Sequence, residues 1–183
     1  MSRPRNTSES LAGIICLRQK RISNRREAWF LLRRLVLVAV LGWALFTQVF
    51  LLAQVRGMDM YPALRDGDLV VAFRLDDALA LDDVVLYQAA GQQCIGRIVA
   101  LAGDVVQLSE SGSLLVNGTT QAGEILYPSY AREALEYPYR VPDGCAFILG
   151  DYRTQATDSR DFGGIPLDDV QGRVITLLRR RGI

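Results

Sequence analysis

Arg56-Gly57-Met58-Asp59-Met60-Tyr61-Pro62-Ala63-Leu64-Arg65-Asp66-Gly67-Asp68 is the stretch from which the rest of this chain is best read. It begins where a long uncharged run ends and stops at a Gly-Asp turn signal, directly before Leu69-Val70-Val71-Ala72-Phe73. That run of β-branched and aromatic residues reads as a strand. The stretch therefore marks the passage from an apolar segment to a β-rich domain.

Upstream, Leu35 to Val55 carries no charge between Arg34 and Arg56, and Thr47, Gln48 and Gln54 are its strongly polar residues. At about 1.5 Å per residue a helix over it spans roughly 30 Å, the thickness of a bilayer's hydrocarbon core. Trp43 lies mid-span. Residues 1–34 hold nine Lys or Arg against Glu9 and Glu27, a net of +7, so the remainder carries −6. Basic residues are retained on the cytoplasmic side, which predicts a single-pass membrane protein with its N-terminus inside and its C-terminal domain outside. A cleaved secretory signal fits less well, because thirty-four residues precede the apolar core and Ala53-Gln54-Val55 is a poor small-x-small site. The expected organisation is a basic cytoplasmic tail (1–34, weakly helical or disordered), a transmembrane helix (35–55) and an exported domain (56–183). Anionic lipid headgroups suit the tail; no nucleic-acid partner is indicated.

Downstream, short β-type runs recur without helical stretches between them: 69–73, 84–87, 94–100, 105–108, 114–116, 145–149 and 174–178. Gly103-Asp104, Ser111-Gly112 and Asn117-Gly118 are turn signals. The expectation is a mainly β domain. Residues 119–140, with several tyrosines and prolines, read as a long excursion or small cap. Of three cysteines, Cys94 and Cys145 fall in the exported domain, either as a disulfide or as two buried free thiols. Cys16 falls on the tail.

The chain has no histidine, and its single lysine is Lys20. A serine nucleophile needs an adjacent imidazole or desolvated amine to take its proton, and residues 56–183 contain neither. Cys/His catalysis falls with it, and no histidine-rich or CxxC-type metal site is present, so no metal or cofactor is expected. What remains is carboxylate chemistry: Asp59 with Asp68, Asp151 or Asp158 as an acid dyad sharing one proton. The plainer role for Asp68 and Asp151, each beside a glycine, is to serve the backbone of a turn.

Three ordered motifs carry a resemblance. They are Gly57-Met58-Asp59-Met60-Tyr61-Pro62-Ala63-Leu64 with Gly67-Asp68, Ile95 to Ala102 with Gly103-Asp104, and Gly150-Asp151-Tyr152-Arg153 with Asp158-Ser159-Arg160. Over about residues 30–178 the chain resembles the type I signal peptidases (peptidase S26), which use a Ser/Lys dyad. The serine of the family's first motif falls on Asp59 and the lysine of its second on Gly96. Ala63 replaces a threonine, Tyr152 an asparagine, and Ala156 a serine that helps orient the lysine. The resemblance implies a coiled, mostly antiparallel β fold with one N-terminal transmembrane helix and a peptide groove facing the membrane.

It further implies a groove built from Asp59, Met60, Tyr61, Pro62, Gly96, Arg97 and Ile98, with a void over Gly96 beside Asp59 lined by Met60 and Ile98. Gly67, Asp68, Gly103, Asp104, Gly150, Asp151, Arg153, Asp158, Ser159 and Arg160 are expected to be structural, Asp158 and Arg160 as an ion pair. With both dyad positions substituted, the chain resembles the non-catalytic, pilus-associated signal-peptidase-like proteins of Gram-positive bacteria. These are accessory factors or chaperones, which implies pilin subunits and a class C sortase as partners. The alternative is an active signal peptidase with an atypical site.

Overall fold

The computed structural model describes residues 7–74, 78–121 and 126–179, with side chains from residue 27 onward. The start of the tail (1–6) and the Cys16 side chain lie outside what is described. The chain forms two compact units, one ending at Thr47 and one beginning at Gln48.

The first unit is carried by helix α1 (Thr7–Val49), of which Glu27–Val49 is long and apolar enough to cross a membrane, with a mean hydropathy of 1.9. Leu31, Leu35, Val38, Leu41 and Leu45 all stand more than half exposed. A helix whose apolar residues stand exposed on every side suits a lipid surround.

The expected span of 35–55 differs at both ends. The helix starts well upstream of Leu35, inside the expected tail, and Phe50–Gln54 forms strand β1, antiparallel to β2 (Leu69–Phe73) with Phe50 opposite Phe73 and Gln54 opposite Leu69. Ala53 and Val55 are buried. The last residues of the uncharged run are thus apolar because they enter a protein core, and a short apolar run does not reveal by its pattern whether it is helix or strand.

The second unit is two antiparallel sheets. The larger has the order β1-β2-β11-β3-β4-β9-β10, with β3 Val84–Ala89, β4 Gln92–Leu101, β9 Cys145–Leu149, β10 Ile165–Pro166 and β11 Val170–Leu178. The smaller has the order β7-β6-β5-β8, with β5 Val105–Leu108, β6 Leu114–Val116, β7 Thr119–Thr120 and β8 Tyr139–Arg140. All seven runs read from the sequence are strands or lie within one. The fold is mainly antiparallel β behind one N-terminal apolar helix, as expected. Register shifts at Ile98/Ala100 and Val174/Thr176 mark bulges, which bend strands and increase twist.

Side-chain alternation sorts the core into three clusters. Leu86 and Ile95 face Ala53, Val70, Ala72, Met60 and Leu64. Val85, Tyr87, Ile98, Ala146 and Ile148 share the opposite face of the β3-β4-β9 strands. Val99, Phe147 and Leu149 pack against Val106 and Leu114 of the smaller sheet. Cys94 and Cys145 pack into different clusters and are free thiols, though half-buried and not buried as the second reading had them.

Candidate functional site

Asp59 sits in a loop fastened at every turn. Val55 N–H donates to Asp68 O at 2.8 Å and Gly67 N–H to Val55 O at 3.0 Å, closing the loop base. Asp68 accepts the Arg65 N–H at 3.0 Å and the Arg179 guanidinium at 3.1 Å. Burial pushes the Asp68 carboxyl up, but Arg179, the Arg65 N–H and their positive charges outweigh it and hold the group below its ordinary value. Tyr152 N–H donates to Asp59 O at 2.8 Å. That approach needs Gly150, because a Cβ there meets Asp59 O at 2.6 Å and Ala156 Cβ at 2.3 Å.

The third motif builds the wall behind Asp59. Asp158 caps α2 (Ser159–Phe162) in a capping box with Asp161. Its two oxygens take the Arg160 guanidinium at 2.8 Å each, and they also accept Arg160 N–H and Gly150 N–H at 3.1 Å. Both partners are buried, so the expected ion pair is present and enclosed. Ser159 Oγ accepts the Ile148 N–H at 2.9 Å. Asp104 ties its own turn, accepting Leu101 N–H at 2.8 Å and Asn117 Nδ2 at 2.7 Å beside Gly103. Arg153 is buried and reaches Ser129 Oγ at 2.9 Å; burial lowers its pKa to about 10.

A groove of about 780 Å³ runs between β1 with Arg56 on one side and the β3–β4 hairpin on the other; Asp59, Thr157 and Phe162 also line it. Of the expected groove residues, Asp59 lines it. Met60 and Ile98 are fully buried in separate clusters. Tyr61 stacks on Tyr152 with ring centroids 6.1 Å apart, and Pro62 is exposed beside it. Arg97, whose side chain points to the face of the strand opposite that of Gly96, grips Asp151 at 2.8 and 3.0 Å.

The expected void over Gly96 does not exist. Gly96 lies opposite Val85, and the diagonal neighbours Tyr87 and Ile148 close over it. A Cβ at Gly96 comes within 2.6 Å of Ile148 Cγ2 and 3.3 Å of Tyr87 Cε1. Tyr87 was not singled out from the sequence, although its place opposite Cys94 follows from the two-residue Ala90-Gly91 turn. Its hydroxyl is buried without a hydrogen-bond partner, and burial with the neighbouring Cys94, Asp158 and Asp59 pushes its pKa upward. The group stays a phenol and cannot serve as a base.

Asp59 itself accepts the Thr157 N–H, and burial together with Asp158 raises its pKa above the ordinary carboxylate value. An acid dyad is poorly served here. Asp68, Asp151 and Asp158 already give their oxygens to Arg179, Arg97 and Arg160, and a shared proton needs a carboxylate not already committed to a cation. Burial, with Asp59 adding to it, likewise raises the Cys94 thiol, which disfavours the thiolate a nucleophile requires. Arg132, from the 119–140 excursion, binds Asp161 and donates to Ala156 O at 2.6 Å. Nothing in its sequence surroundings marks it out. The excursion also lays Tyr127 on Tyr152, 4.5 Å between centroids.

The raised Asp59 pKa gives a first prediction. A carboxyl whose folded pKa exceeds its unfolded value favours folding when protonated, so that contribution is fully present below the unfolded pKa and fades as pH rises through the folded one. Asp59→Asn keeps the acceptor for Thr157 N–H and removes the charge. We expect its Tm at pH 7 to lie above that of the wild type, with the gap closing as pH falls toward 4. An unchanged or lower Tm at pH 7 contradicts the assignment.

Comparison with known proteins places these features. Residues 28–178 match the family model for signal peptidase, peptidase S26. The chain is 28% identical over 173 residues to a signal peptidase I of Bacillus caldolyticus, covering 86% of this chain and 91% of that one. It is 34% identical over 132 residues to a probable thylakoidal processing peptidase 2 of Arabidopsis thaliana, covering 63% of this chain but about a third (34%) of that longer protein. Among solved structures, a signal peptidase I from Enterococcus faecalis V583 aligns with a TM-score of 0.47 at 26% identity, over 55% of this chain and 98% of that one.

Proposed function

The chain belongs to the signal peptidase family, peptidase S26, and on that premise we propose that it is a membrane-anchored homologue that binds a polypeptide without cleaving it. The observation that carries this reading is the filled space at Gly96. Gly96, on which the resemblance puts the family's lysine, is a buried glycine covered by Tyr87 and Ile148, and residues 56–183 offer no lysine or histidine to replace it. Losing either half of a nucleophile–base pair costs on the order of 10⁶ in kcat, and here both positions are substituted. The groove persists beside β1, an edge strand of the sheet. An edge strand offers unpaired backbone groups to an extended peptide.

The finer reading is an accessory or chaperone role in sortase-dependent pilus assembly on a Gram-positive cell, with pilin subunits and a class C sortase as partners, the N-terminus cytoplasmic and the β domain outside. What supports it is the replacement of both dyad residues and the nine basic residues among positions 1–34, ahead of the uncharged run. Photocrosslinking from the groove to a pilin in cells separates it from a scaffold that leaves the groove empty.

A second reading, an active type I signal peptidase with an atypical site, is favoured by the match along 91% of a protein named signal peptidase I. The test is to incubate the full chain in detergent with a preprotein bearing an A-x-A-like site. We expect no cleavage; cleavage abolished by Asp59→Ala would reverse the conclusion.

A further inference from the structure

We propose that the groove recognises a lysine or arginine side chain on an extended polypeptide and seats its cationic end on the Asp59 carboxylate. This rests on the polypeptide-binding reading above and gives it a chemical specificity.

Asp59 is the carboxylate that lines the groove, and the three acidic side chains of the third motif are answered from within the chain. Arg97 holds Asp151 and Arg160 holds Asp158, each at 2.8 Å, and Arg132 holds Asp161. Asp59 receives the Thr157 N–H but has no ion pair among the described residues. Arg132 acts on it only as a distant charge, its guanidinium being committed to Asp161 and Ala156 O. Arg56 lines the same groove without an ion pair to Asp59. Half-buried carboxylates without a cation are costly, and the presence of Asp158 behind this one adds to that cost.

An independent observation points the same way. The Tyr87 hydroxyl is fully buried, lies in the field of Asp59 and Cys94, and has no acceptor. The tyrosine covers Gly96 together with Ile148 and, being neutral, does not itself neutralise a carboxylate. Asp59 opens onto the groove, and a cation reaches it from there. That path suits a long basic side chain. Leu86, Ile95 and Phe162 offer apolar surface to its methylenes, and the side-chain carbonyls of Gln54, Gln92 and Gln93 offer acceptors to donors left over at its head. A glutamate at the same place meets two negative charges instead.

The test uses the full chain in detergent micelles and fluorescein-labelled, alanine-based decapeptides with a central Lys, Arg, norleucine or Glu, read by anisotropy. Lys and Arg peptides are expected to bind about tenfold tighter than norleucine, the scale of one charge-assisted hydrogen bond, with Glu weakest. Asp59→Asn, and separately Asp59→Ser, remove the preference, so that Lys, Arg and norleucine peptides bind each variant alike. Equal binding of Lys and norleucine by the wild type, or a preference that survives both variants, overturns the cation site and leaves the peptide groove standing. Failure of every peptide to bind overturns the polypeptide reading, and this proposal with it.

Discussion

Gly96→Lys destabilises the β domain instead of reinstalling a base. The strand pairing puts Gly96 under two diagonal neighbours, and the first carbon of any side chain already lies 2.6 Å from Ile148 Cγ2 and 3.2 Å from Leu149 O. Ile148 and Tyr87 are themselves fully buried, so neither has free volume to retreat into. Overpacking a core by a few methylenes costs about 1–3 kcal/mol, and Gly96→Ala alone should show a loss of that size. Lys adds three more methylenes and an ammonium that must either be desolvated or force the strands apart. For a chain of this length each kcal/mol moves Tm by about 2–4 °C, so the lysine variant should melt well below the alanine one. Tyr87→Ala opens space, and the cycle of Gly96→Lys with Tyr87→Ala should be strongly non-additive, the double variant losing less than the two single losses together. For the same reason Asp59→Ser with Gly96→Lys stays inactive on a preprotein while Tyr87 is intact. A Gly96→Lys protein that melts with the wild type, or a double variant that cleaves, shows that a lysine-shaped space survives after all.

Asp158→Ala is expected to cost about 3–5 kcal/mol, the scale for stripping one partner from a buried ion pair. The side chain accepts three hydrogen bonds from Arg160 and one from Gly150 N–H, and Arg160 is only 2% exposed. Removing the carboxylate strands a guanidinium in the interior and uncaps α2. Arg160→Ala should cost less, because its backbone N–H and that of Gly150 still serve the carboxylate. The comparison variant is Arg173→Ala, whose pair with Asp83 lies at 3.6 Å with 38% of the arginine side chain exposed; surface pairs contribute about 0–1 kcal/mol. Thermal unfolding of the three full-length variants in one detergent decides the order. If Asp158→Ala melts no lower than Arg173→Ala, the third motif does not hold this site together. Because Thr157 N–H on the approach to α2 meets the Asp59 carboxyl, Asp158→Ala should also weaken peptide binding in the groove.

Most of the β domain was legible from local chemistry. Runs such as 69–73, 105–108, 114–116 and 145–149 coincide with strands β2, β5, β6 and β9, because β-branched residues between turn signals constrain the backbone locally. The short strands β7, β8 and β10 were not legible, since two residues carry no periodicity. Strand β1 was hidden inside an apolar run, where lipid and protein core ask for the same residues. At the site, the motifs led to Asp59, which lines the groove, and to the Asp158–Arg160 ion pair, which is present. They did not reveal the partner of Arg97, which Asp151 supplies from 54 positions away, nor the reach of Arg132 onto Asp161.

Residue order alone settled the chemistry that is missing: a tally of side chains shows no amine or imidazole after Lys20, and no folding can add one. It equally marked the longer strands and the presence of an apolar helix, which depend on neighbours along the chain. The fate of the space above Gly96 belonged to the folded state, because β3 and β9 bring Tyr87 and Ile148 there from distant parts of the sequence and a cavity in a close-packed interior tends to be filled by whatever adjoins it. So did the lack of an ion pair to Asp59 among the described residues. A carboxylate is paired or unpaired only once every arginine within reach has taken its own place.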